Sequence, residues 1–201
     1  MTSIATADRS EFRHILFSGT LVGAATAVAV ILFLLASRLL PAGITTSLTL
    51  MLIVLAGGVA AAFLPASLAG SRTVQGIASA AAIGLWGTVV FMAIDIILLR
   101  PFKAYPWTWD AVGGGSTWWY LPVWWMLGTF LAWMGAIVTA GRAARGGDRS
   151  IRSLAISPVG AGLGAGLGLG LGGLLLMPIA AGAGFAATLV LFALIVLARR
   201  G

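Results

Sequence analysis

The chain has no cysteine. Disulfides, thiolate catalysis, iron–sulfur clusters and cysteine-ligated zinc are therefore excluded. Histidine is almost as scarce: His14 is the only one, and it lies outside every apolar run. A single imidazole in the polar N-terminal segment builds neither a bis-histidine haem site nor a zinc site. It cannot join a Ser/His/Asp set inside the apolar region either. Charge is also sparse. Only 8% of residues are charged, with 5 acidic against 12 basic, where a soluble domain carries about 25%. With 60% hydrophobic residues and a mean hydropathy of +1.08, too few polar groups exist to cover a water-facing surface. The chain reads as an integral membrane protein.

The formal net charge of +7 does not point to nucleic acid, because the charges sit at the ends of apolar runs. There, positive charge orients helices and meets anionic lipid. Arginine supplies 11 of the 12 basic residues, and Ala and Gly are abundant. By association that usage suggests a GC-rich bacterial genome.

Six apolar runs follow, over roughly 16–37, 44–64, 76–99, 121–140, 157–176 and 181–198. Each is near the ~20 residues that cross a bilayer. The expected fold is all-α and polytopic: a polar segment over 1–14, then one transmembrane domain over 15–200. The first run is too long for a signal-peptide core and reads as an uncleaved anchor. Asp8 and Glu11 have capping-box spacing, which predicts a short interfacial helix before it. Pro41 and Pro65 are expected at helix ends.

Arginine placement orients the bundle. With the N-terminus inside, Arg9, Arg13, Arg72, Arg142, Arg145, Arg149, Arg152, Arg199 and Arg200 are cytoplasmic, while Arg38, Arg100 and Lys103 are outside. Nine against three places both termini in the cytoplasm. The dense run "GRAARGGDRSIR" between spans four and five reads as a topology signal, with a lipid-headgroup or partner site as the sharper alternative.

One long outer connection remains, "RPFKAYPWTWDAVGGGSTWWYLP", and it is crowded with aromatics. Six of the eight tryptophans fall between Trp107 and Trp125. Trp107, Trp109, Trp118, Trp119 and Tyr120 suit an aromatic belt at headgroup level, as do Trp124 and Trp125 in the first turn after Pro122. A belt needs only a few rings per helix end, so a docking surface for another subunit competes with it. A ring-stacking ligand site is the third reading. Trp133, two turns further in, is expected to face protein, because lipid offers its N–H no acceptor.

Asp95 is the only acidic residue inside a predicted span. An intramembrane carboxylate is a functional candidate by default. Against that, Arg100 lies five residues on, Arg38 emerges on the same side, and no Glu, His or Lys shares any span. A structural pair is the bland reading, and a proton or cation site the sharp one.

Span five carries Gly160, Gly162, Gly164, Gly166, Gly168, Gly170 and Gly172, strictly alternating. An isolated strand cannot satisfy its backbone in lipid, so the segment is expected to be helical. Gly160, Gly164, Gly168 and Gly172 then form one small-xxx-small row, and Gly162, Gly166 and Gly170 a second, about 200° round the axis. Packing within the bundle, a face for another subunit, and a slot for bound lipid or a flat lipid-soluble cofactor (quinone, carotenoid or chlorophyll-like) are the three uses. No nucleotide-binding context surrounds these glycines.

No catalytic constellation or internal repeat is present. The expectation is a non-catalytic accessory or scaffold subunit of a larger bacterial membrane complex, with a respiratory or photosynthetic assembly favoured. It would dock on other membrane subunits through the Trp-rich loop and the Gly-rich helix. The alternative is a small secondary transporter or permease component using Asp95.

Overall fold

A computed structural model describes residues 2–99, 120–147 and 150–199, with side chains described over 11–99, 122–147 and 150–199. Six helices run through them: α1 (Thr2–Leu39), α2 (Ile44–Leu68), α3 (Val74–Ile94), α4 (Tyr120–Ala144), α5 (Ile151–Leu171) and α6 (Met177–Ala198). A π-helical turn, Asp95–Leu99, extends α3. All six are long and apolar enough to cross a membrane, and no strand occurs among the described residues. In hydrocarbon a segment must satisfy its own N–H and C=O groups, and this requirement overrides the strand preference of Val and Ile.

The N-terminal segment does not form a separate interfacial helix. α1 runs unbroken from Thr2 into the apolar run, because no Gly or Pro interrupts the chain before Gly19. Pro65 also departs from expectation: it lies inside α2, which continues to Leu68. Pro158 likewise lies inside α5, two turns from its start. Each removes one ladder hydrogen bond, and neither position ends its helix.

The helix ends carry recognisable stops and starts. Gly70, Gly146 and Gly173 adopt φ of 59°, 67° and 70°, the left-handed conformation that closes a helix without strain. After α4 the Gly147 N–H returns to the Arg142 carbonyl at 3.1 Å, and after α5 the Leu174 N–H returns to Leu169 at 3.0 Å. Thr73 and Ser150 open α3 and α5, each side-chain oxygen accepting from a backbone N–H three residues on.

α2 packs against every other helix. Round it the contacts run α1 to α3, α3 to α4, α4 to α6 and α6 to α5. The larger core lies among α2, α4, α5 and α6 and includes Met51, Leu55, Phe63, Phe185 and Leu189. A smaller one joins α1 and α3 through Ala27, Phe91 and Met92, with Trp124 of α4 against it.

Glycine sets how closely these helices approach. A Cβ on Gly19 would stand 2.9 Å from the Ile83 carbonyl oxygen, and one on Gly87 3.1 Å from the Gly19 carbonyl oxygen. A Cβ on Gly84 would stand 3.1 Å from the Gly128 carbonyl oxygen, and one on Gly135 would overlap the Ala62 carbonyl. The α1–α3, α3–α4 and α2–α4 contacts are therefore backbone against backbone, the arrangement small residues permit in membranes.

Candidate functional site

Asp95 is fully buried, at 0% exposure, although it lies in an apolar helix. The π turn accounts for part of this placement. Asp95 and Leu99 both face inward, and Ile96, Ile97 and Leu98 face outward. π turns widen the helix by one residue and often mark functional positions. Asp95 is not without a partner. One turn before it, on the same face, Phe91 packs on Trp124 of α4, with ring centroids 5.3 Å apart and planes at 61°. The carboxylate thus follows directly on the α3–α4 aromatic contact, at the level where α4 begins. Arg38 at the end of α1 is exposed and is also partnered.

Arg100, Trp107, Trp109, Trp118 and Trp119 lie outside the described residues, and with them the outer aromatic loop. Tyr120 is described as the backbone start of α4 only. Of the remaining aromatics, Trp124 turns inward to Phe91, while Trp125 is 42% exposed on the outer surface of the bundle. Trp133 corrects an expectation: it does not face protein within this chain but is 49% exposed. The inner face of α4 is claimed by Ala132, Gly135, Ala136 and Thr139, all buried. Only such small residues fit the close approach to α2 and α3, so the indole is turned out.

Trp125, Thr129 and Trp133 follow one another at four-residue intervals and share a helix face. With Met126, Phe130 and Leu85 of α3 they line an outward-facing groove of about 660 Å³. The Thr129 hydroxyl oxygen is buried and has no hydrogen-bond partner. Six other threonines inside these helices are bonded back to the carbonyl four residues earlier. Thr20, Thr26, Thr49, Thr88, Thr139 and Thr188 all do so, at 2.7–2.9 Å. A second, smaller cavity of about 60 Å³ lies between α1, α2, α3 and α4, beside Thr26, Thr88 and Phe91. The Thr26 and Thr88 hydroxyls already serve their own helices, so this space offers water little to bind.

The glycine rows of α5 have different surroundings. A Cβ on Gly162 would meet Leu55 and the Ala181 carbonyl, one on Gly166 would meet Met51 and Ala181, and one on Gly170 would overlap Met177. This row is filled by α2 and α6. Gly160, Gly164 and Gly168 are exposed, and a Cβ added to any of them would meet nothing within 4 Å. Ser157 continues their row toward the start of α5. Gly172 lies past the last turn, where a Cβ would stand 3.1 Å from the Gly168 carbonyl oxygen.

Two further polar contacts tie helices together. The Trp86 indole N–H donates to Thr20 Oγ1 at 3.2 Å, joining α3 to α1. Arg142 donates to the Ser153 carbonyl at 3.1 Å, so one arginine of the basic cluster fastens α4 to α5.

Sequence reasoning passed over the close-contact glycines Gly19, Gly23, Gly84, Gly87, Gly128 and Gly135, and it passed over Thr129. The signals were present: Gly19 and Gly23 are four apart on one face, and Thr129 is framed by two tryptophans at equal spacing. No family model, curated protein or solved structure matches this chain.

Proposed function

We propose that the chain is a non-catalytic membrane subunit that packs against another membrane protein through the outward glycine row of α5. The observation that carries this reading is that row: Ser157, Gly160, Gly164 and Gly168 are exposed, and a Cβ on any of the three glycines would meet nothing within 4 Å. Acyl chains fill such a strip no better than they fill a leucine surface. A second helix gains close backbone contact there, which is how small residues act at membrane interfaces. The inner row of the same helix is already used this way by α6.

The arginine distribution supports a bacterial cytoplasmic membrane location with both termini inside. The tryptophans of the outer connection, from Trp107 to Trp119, would give a second contact at headgroup level. A respiratory or photosynthetic assembly is the favoured host. One observation supports the rival reading, a small transporter or permease component: Asp95 is wholly buried in a π turn.

The test is the native mass and absorption spectrum of the tagged protein in mild detergent, with mass spectrometry of associated chains. A large assembly in the wild type that is lost in Gly164→Leu supports the subunit reading. A wild-type protein that runs as a monomer removes it.

A further inference from the structure

We infer that the groove along α4 is a binding site for a lipid-soluble carbonyl compound with a planar ring, of the isoprenoid-quinone class, held by Thr129 between Trp125 and Trp133. The inference stands apart from the docking row on α5 and does not depend on it. It begins with an unmade hydrogen bond. Thr129 Oγ1 is buried and unpartnered, whereas six other helical threonines bond to their own helix. Thr129 is seven residues past Pro122, so it lies about 10 Å below the start of that span. A hydroxyl at that depth needs an acceptor, either the Trp125 carbonyl four residues back or one brought by a ligand, and in the free protein it has neither. Oγ1 is covered in the free protein, so contact with a ligand in the groove that Thr129 lines requires a change of χ1 rotamer.

The surroundings define the acceptor. The groove wall is almost wholly carbon: Leu85, Met126, Phe130 and the two indoles. The groove is shallow and open to the bundle surface, with about 660 Å³ of space along its wall. Trp125 and Trp133 are eight residues apart, or about 12 Å along the helix, with Thr129 midway. Both residues are partly exposed, at 42% and 49%, so each offers aromatic surface to a ligand. A phospholipid acyl chain supplies neither a ring to stack nor an acceptor at this depth. A ring carbonyl on an apolar tail supplies both: the ring lies against the indoles, the carbonyl accepts from Thr129, and the tail follows the groove.

The test uses the full chain in phosphatidylcholine nanodiscs and radiolabelled decylbenzoquinone, a quinone with a short tail. Retention above that of empty discs is expected to saturate near one per chain. Decylbenzene, which has the tail and ring without carbonyls, is expected to compete poorly. Thr129→Val keeps the side-chain shape and removes the donor, and should weaken binding about fivefold. Thr129→Ser restores a hydroxyl and should recover most of that loss. Retention equal to empty discs overturns the proposal, as does equal competition by decylbenzene or unchanged binding in Thr129→Val.

Discussion

Phe91 of α3 meets Trp124 of α4 edge to face, with ring centroids 5.3 Å apart, and it is the buried ring of the α1–α3 core. Phe91 is 1% exposed. Truncation to alanine should cost about 3–5 kcal/mol, of which the ring pair itself supplies about 0.5–1.5 kcal/mol. A double-mutant cycle with Trp124→Leu, read by denaturant unfolding in detergent, separates the two parts. A coupling energy near zero would show that the rings merely adjoin.

The glycines divide into two groups by what surrounds them. Gly135→Ala drives a methyl into the Ala62 carbonyl and should destabilise the bundle by about 1–3 kcal/mol. Gly160→Ala and Gly164→Ala meet nothing and should leave the melting temperature of the isolated protein unchanged or slightly raised. Equal effects at Gly135 and Gly164 would contradict the helix arrangement described above.

Asp95 separates the two functional readings. Asp95→Asn keeps shape and hydrogen-bonding capacity, so a packing subunit should retain its native mass and most of its stability. Asp95→Leu leaves the partner of a fully buried group unsatisfied and should cost about 1–3 kcal/mol. If Asp95→Asn abolishes a transport activity while the fold survives, the carboxylate is a coupling site and the transporter reading takes over.

Topology can be read with single cysteines, because the chain has none of its own. Ala42→Cys, between α1 and α2, should react with a membrane-impermeant maleimide in intact cells. Arg145→Cys, between α4 and α5, should react only after the membrane is opened. The reverse pattern would place both termini outside and overturn the arginine argument.

The six spans are legible in the sequence because hydrocarbon imposes length and composition so strictly. Their limits are less so. Composition assigns the fifth to 157–176, and it runs over Ile151–Leu171; it starts the sixth at 181, and that helix begins at Met177. Ser150 starts α5 inside the arginine-rich connection, and Gly173 ends it early. The apolar residues Leu174, Leu175 and Leu176 thus belong to the turn, although composition alone assigns them to a helix. Trp133 differs from expectation for another reason. An indole N–H in lipid is costly, but the close approach of α4 to α2 leaves no room for an indole inside. Which of the two glycine rows is covered cannot be read from spacing, since both rows have the same period.

The central position of α2 constrains the order in which the molecule can be made. α2 is the second helix to leave the ribosome, yet α6, one of its main neighbours, begins 109 residues after α2 ends, counting from Leu68 to Met177. At about 5–20 residues per second, α2 waits roughly 5–22 s in the bilayer before that neighbour is synthesised. During this interval the surface that later meets α6, including Val54 and Gly58, faces lipid or whatever insertion factor shelters it. Bundle closure is therefore a late event of biogenesis, and a chain arrested before α6 would present the membrane's quality-control proteases with an open central helix.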